Sequence, residues 1–189
     1  MVKHYTNFKI NKVHKGSIIL IGNFDGLHLG HQKLFQLAKS YKKKHNLKIG
    51  VVTFDPMPKM FFQKKLKNFR ILNINQKIKL LNSLNVDFVI TKKFDKKFSK
   101  TKAFNFINQI LNKKLSSKFI FVSNNFRFGN KREGDVNLLI KYEKLFNYKV
   151  IKPEPLTKNK KIVSSSLIRK LLEKGFLDKA NNLLNRNWT

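Results

Sequence analysis

Cysteine is absent from the 189 residues, which excludes disulfides and thiolate metal sites. Acidic side chains are scarce, ten against 41 basic ones, so a cage of carboxylates for a divalent cation has little to draw on. Tryptophan occurs once and proline four times. No apolar run approaches the length that a membrane-spanning helix needs. The first ten residues carry charged and polar side chains where a secretory leader needs an unbroken apolar stretch. These absences make a soluble cytoplasmic protein, with no membrane partner, the expectation.

The chain does carry charge and aromatic bulk. Its formal net charge is +31, and 18 Phe help to bring the hydrophobic share to 41%, enough for a packed core. Such a field attracts polyanions. Two features nevertheless argue against nucleic acid as the partner. Lysines are spread from Lys3 to Lys179 amid abundant Asn, Ile and Phe, the residue types that A/T-rich codons encode. Arg, whose planar fork suits bases and phosphates, is confined to Arg70, Arg127, Arg132, Arg169 and Arg186.

Hydrophobic periodicity alternates between two types. Residues 17–21 form a short β-branched run that ends in glycine, as a strand buried on both faces would. Residues 29–44 place Leu34, Leu37, Ala38 and Tyr41 at helical spacing, and a second strand follows at 49–54. Helices are expected at 74–84, 101–111 and 136–146, with strands at 87–91, 118–122 and 148–151. Two closing helices, 165–173 and 177–184, are separated by Gly175. The pattern predicts an α/β fold with a Rossmann-like, doubly wound parallel sheet. Segments 55–73 and 124–135 break the alternation and are expected to form flaps or a small subdomain. Neither an internal repeat nor a long linker divides the chain, so one domain over residues 1–189 is expected.

The densest constellation is Gly22-Asn23-Phe24-Asp25-Gly26-Leu27-His28-Leu29-Gly30-His31. It lies where the first long strand ends and the first helix begins, the place where open α/β sheets bind ligands. Gly22, Gly26 and Gly30 permit close backbone approach, and the helix N-terminus offers a positive dipole end to anions. His28 and His31, three apart, share a face of the first turn, where two imidazoles can donate to phosphate oxygens and to charge growing in a transition state. A histidine pair alone is more often a surface or capping feature; three glycines between a strand and a helix favour a phosphate site. Zinc lacks ligands here, and the Gly-Lys-Ser/Thr ending of a P-loop is missing. Near the other end, Ser164, Ser165 and Ser166 precede an apolar helix, so one is a natural N-cap, while Arg169 sits one turn in.

The loop resembles the His-x-Gly-His opening of the nucleotidylyltransferase superfamily. More narrowly, the chain resembles the FMN adenylyltransferase (FAD synthetase) module of the prokaryotic bifunctional riboflavin kinase/FMN adenylyltransferases. Three further stretches carry that likeness in order: Thr53-Phe54-Asp55-Pro56-Met57-Pro58, then Asn125-Phe126-Arg127-Phe128-Gly129 with Gly134-Asp135, then Val163-Ser164-Ser165-Ser166-Leu167-Ile168-Arg169. The resemblance implies transfer of AMP from ATP to FMN, giving FAD and pyrophosphate, with Mg²⁺ carried on the ATP phosphates and no protein metal site. It implies catalytic roles for His28, His31 and Arg169. Phosphate binding falls to Gly22, Asn23, Phe24, Asp25, Gly26, Gly30 and Ser164 to Ser166, although Asp25 also reads as a brace for the loop. Asn125, Phe126 and Phe128 are expected at the flavin.

The likeness has departures. Met57 stands where the family usually has His, Ser123 where it has Gly, Asn125 where it often has Asp, and Ser166 where it has Thr. Nothing in the sequence resembles the riboflavin kinase module, so no riboflavin phosphorylation is expected, and a separate riboflavin kinase would be the partner that supplies FMN. Two rivals stand beside this reading: a related nucleotidylyltransferase with another phosphate acceptor, and a non-catalytic flavin- or nucleic-acid-binding derivative of the fold.

Overall fold

The structure, a computed structural model, describes residues 2–66, 69–158 and 160–188. Residues 67 and 68 of the expected 55–73 flap, and residues 1, 159 and 189 of the expected domain, lie outside the described residues.

The frame is a six-stranded parallel sheet. Its strands are β1 (Lys3–Tyr5), β2 (Ile18–Ile21), β3 (Ile49–Asp55), β4 (Phe88–Lys93), β5 (Phe119–Phe121) and, after the two-residue strands β6 (Arg127–Phe128) and β7 (Gly134–Asp135), β8 (Lys149–Ile151). They lie in the order β1-β4-β3-β2-β5-β8. From β2 the chain builds outward through β3 to β4, then returns to the other side of β2 for β5 and β8. The order therefore reverses between β2 and β5, and the C-terminal ends of the strands beside that reversal are where such sheets open a crevice.

Successive side chains of a strand point to opposite faces, and here both faces are covered. One face sends Ile19, Ile21, Val52, Phe54, Phe88 and Ile90 into a core shared with Phe106, Ile107, Ile110 and Leu111. Those four belong to a helix that begins as α5 (Ala103–Asn105) and continues to Lys114 with wide, i to i+5 turns. The opposite face sends Ile18, Leu20, Ile49, Val51 and Val89 against the helices α1 (Leu29–His45), α3 (Ile74–Ser83), α8 (Ser165–Glu173) and α9 (Leu177–Leu184). The doubly wound expectation holds.

The expected strands and long helices recur within a few residues, with instructive differences. In α1 the deepest side chains are Phe35 and Ala38, while Leu34, Leu37 and Tyr41 pack at the margin. The expected 136–146 helix is two, α6 (Val136–Lys141) and α7 (Glu143–Phe146), parted at Tyr142. Here the Leu139 carbonyl accepts both the Tyr142 amide at 3.2 Å and the Tyr148 hydroxyl at 2.6 Å. Short pieces complete the chain: α2 (Pro58–Phe62), α4 (Lys96–Ser99) and a hairpin of β9 (Thr157–Lys158) with β10 (Lys161–Ile162). Strand β1 gave no sequence signal, because a three-residue edge strand with charged and polar side chains has no apolar run to show.

Candidate functional site

The loop after β2 is a tightly built object. Gly22 continues the sheet, its amide donating to the Val52 carbonyl at 3.1 Å. Phe24 and Leu27 adopt left-handed backbone with φ of 45° and 43°, uncommon for residues with a side chain, and both are buried. Gly26, at φ 83°, has room for that turn only because it lacks a β-carbon, which would stand 3.1 Å from Ile71. His28 then caps α1: its Nδ1 accepts the His31 amide at 3.4 Å, and its carbonyl accepts that of Gln32 at 2.9 Å.

The two histidines lie together. Their rings stack with centroids 3.7 Å apart and 19° between planes, and His31 and Phe24 meet edge to face at 5.2 Å. Burial pushes His28 down to about 4 and His31 well below the usual imidazole range. Both are therefore neutral near pH 7. His28 uses Nδ1 as acceptor, which leaves its proton on Nε2. The Nδ1 of His31 is buried without a hydrogen-bond partner among the described residues.

Asp25, 1% exposed, points into the protein. Its carboxylate accepts the amides of Ile71 at 3.0 Å and Leu72 at 3.3 Å, and forms a 2.7 Å ion pair with Nη2 of Arg169. Arg169 also donates Nε to the Phe69 carbonyl at 2.7 Å and stacks over the Phe69 ring at 3.8 Å. Ser164 is the cap of α8, accepting the Leu167 amide at 3.2 Å, and Ser165 donates to the Asp25 carbonyl at 2.6 Å. Ser166 is exposed. The late helix thus meets the first loop: a β-carbon at Gly30 would come 3.2 Å from the His28 ring and 3.4 Å from the Val163 carbonyl. The structure brings both histidines, Arg169 and the serines to one place, and it binds Arg169 and Ser165 to Asp25.

Beside this cradle opens a cleft of about 430 Å³. Its wall is aromatic, with Phe54, Phe62, Phe94, Phe98, Phe106, Phe126 and Phe128, and Lys59, Arg127, Lys131 and Arg132 add positive charge. Phe126 and Phe128 stack 5.4 Å apart at 18°. Asn125 is exposed, is not among the lining residues, and accepts the Ser123 hydroxyl at 2.9 Å. Phe54 joins this cleft to a small polar pocket bounded by Asp25, Asp55, Met57, Arg70 and Lys77. Met57 is buried there, 3% exposed.

Sequence reasoning missed several of these residues. Lys77 is buried, and its Nζ donates to the Asn23 carbonyl at 2.8 Å. The available signal was its place on the inner face of α3, between Ile74 and Leu81, where a lysine interrupts an apolar stripe. Arg186 donates to the Gly26 carbonyl at 2.7 Å, and Trp188 Nε1 to that of Ile71 at 3.0 Å. Nothing local marked those two. Among the described residues, no group of three or more His, Cys, Asp or Glu could hold a metal ion, and no helix is long and apolar enough to cross a membrane.

Comparison with known proteins identifies a family. The family model of FAD synthetase matches residues 10–167. A bifunctional riboflavin kinase/FMN adenylyltransferase of Buchnera aphidicola is 42% identical over 94% of this chain and 56% of its own length. The protein of that name from Escherichia coli is 34% identical over 90% of this chain and 54% of its own. An FAD synthetase of Listeria monocytogenes is 28% identical over 94% of this chain and 72% of its own. The chain thus spans about half the length of the bifunctional relatives. Among solved structures, that of a macrolide-efflux protein from Streptococcus pneumoniae superposes with a TM-score of 0.85 at 26% identity, covering 100% of this chain and 72% of that one. With the matched segment running from before β2 into α8, and thus through cradle, cleft and serine cap alike, the chain belongs to the FAD synthetase family.

Proposed function

We propose that this chain transfers AMP from ATP to FMN, releasing pyrophosphate and forming FAD. The observation that carries the reading is the adjacency of a neutral histidine pair at a helix N-terminus to an aromatic cleft of about 430 Å³. A nucleotide triphosphate suits the first and a flat tricyclic ring the second.

In this reaction an oxygen of the FMN phosphate attacks the α-phosphorus of ATP. A new P–O bond forms as the bond to the β-phosphate breaks, and the electron pair leaves with pyrophosphate. No protein nucleophile is required; alignment and charge stabilisation supply the rate. Neutral His28, its Nδ1 occupied as an acceptor, keeps its proton on Nε2 as a hydrogen-bond donor for a phosphate oxygen. The buried, unpartnered Nδ1 of His31 gains a partner when phosphate is bound. The amides of the first turn of α1 add their dipole. Mg²⁺ enters as part of the substrate, on the triphosphate.

Arg169 acts in this reading with Asp25, Ser164 and Ser165 as the brace that sets the cradle, and Ser166, exposed at the start of α8, faces the nucleotide's phosphates. Segments 55–73 and 124–135 serve as flaps of the cleft, Phe126 and Phe128 stack on the isoalloxazine, and Asn125 reaches the flavin from the rim. The whole acts as one catalytic domain in the cytoplasm, fed with FMN by a riboflavin kinase activity. Incubation with ATP, Mg²⁺ and FMN, followed by chromatography, should yield FAD and pyrophosphate. Turnover of another phosphate acceptor in place of FMN would overturn the assignment.

A further inference from the structure

Among the described residues Lys77 is the one buried lysine, 4% exposed, on a chain that otherwise keeps its ammonium groups toward water. An ammonium is costly to bury, and an apolar side chain of similar length is often as good for folding or better. Desolvation indeed pulls its pKa down, with Asp25 opposing. Stability alone gives no reason for a lysine there, so its partners supply the reason.

Those partners sit at the start of the cradle. Nζ donates to the Asn23 carbonyl at 2.8 Å and lies 3.4 Å from the Thr53 hydroxyl, which donates to the same carbonyl at 3.3 Å. Asn23 is thus tied twice, once to α3 and once to β3. The next residue, Phe24, is the first of the two left-handed, non-glycine positions of the loop. Such backbone persists only where its surroundings over-determine it, commonly at ligand-binding segments. Lys77 also helps to wall the small polar pocket, with Asp25, Asp55, Arg70 and Met57, and its charge acts on His31.

We propose that Lys77 is a positioning residue for the nucleotide: by fixing the Asn23 carbonyl it holds the Gly22–His31 loop in its phosphate-binding path, without itself touching substrate. This rests on the reading that the loop holds ATP. The consequence is selective. Loss of Lys77 weakens the nucleotide site and leaves the flavin cleft, whose lining does not include it, intact.

The test is equilibrium binding of Mg·ATP and, separately, of FMN to Lys77→Met, alongside thermal melting. The expected result is a melting temperature at or above that of the wild type within a few degrees, ATP affinity reduced tenfold or more, and FMN affinity within twofold. Thr53→Val, which removes the second tie on the same carbonyl, should weaken ATP binding in the same direction by a smaller factor, and it serves should Lys77→Met not fold. Unchanged ATP affinity in either folded variant overturns the proposal, as does a parallel loss of both ligands. A wild-type chain that binds Mg·ATP but forms no FAD would sink the proposed activity and leave this inference standing.

Discussion

The cradle and the cleft lie side by side at the C-terminal edge of one sheet and are built on opposite principles. The cradle is polar and closed: Asp25 is 1% exposed, and its carboxylate holds two backbone amides and the Arg169 guanidinium. The cleft is open and aromatic, with few fixed polar contacts and a positively charged rim. One region gains definition from hydrogen bonds, each expensive to leave unmade in a dry interior. The other presents area and shape, which tolerate change by degrees. A single substitution in the cradle should therefore act on the whole, and one in the cleft on a single ligand.

The largest expected effect tests the closed region. Asp25→Ala leaves Arg169 without its anion and two amides without an acceptor, and it should cost about 3–5 kcal/mol of stability. Urea denaturation measures it, and a loss under 1 kcal/mol would mean that the brace is slack. Next, His28→Ala or His31→Ala should raise the barrier to FAD formation by about 2–4 kcal/mol, if each donates to the developing charge. Single-turnover rates at saturating substrate supply the readout, and wild-type rates in the double variant would remove both from the chemistry.

The pH dependence sharpens the same contrast. His28 has a folded value of about 4 against 6.5 for a free imidazole. The unfolded chain therefore takes up a proton first, and stability present above pH 6.5 is lost as the pH falls toward 4. Asn caps a helix as well as His does but does not titrate. Between pH 7.5 and 4.5 the wild type should lose about 2–3 kcal/mol more than His28→Asn, at 1.36 kcal/mol per unit. Parallel curves would show that burial does not depress His28. The smallest effect belongs to the cleft: Phe126→Ala should weaken FMN binding by about 0.5–1.5 kcal/mol and leave Mg·ATP binding unchanged. Equal weakening of both would erase the distinction between the regions.

How legible each region was follows from its physics. The cradle could be read because its needs are local: a strand end, glycines, a capping side chain and a helix start occur within ten residues. The serine cap was legible for the same reason, and Ser164 takes that place. What Arg169 touches was not legible, because its partners Asp25 and Phe69 lie 144 and 100 residues away in sequence. The cleft was half visible. Phe126 and Phe128 stood out beside Gly129, whereas Phe94, Phe98 and Phe106 were indistinguishable from ordinary core residues until the fold turned them toward one space.

By itself the sequence determined the alternation of elements, the doubly wound sheet and the family, since periodicity and short motifs are properties of neighbours along the chain. Only the tertiary structure decided which charges meet. It joined Asp25 to Arg169 and buried Lys77 beneath Asn23. Ion pairs and burial depend on distances through space and on the exclusion of water, and neither is written in the spacing of residues along the chain.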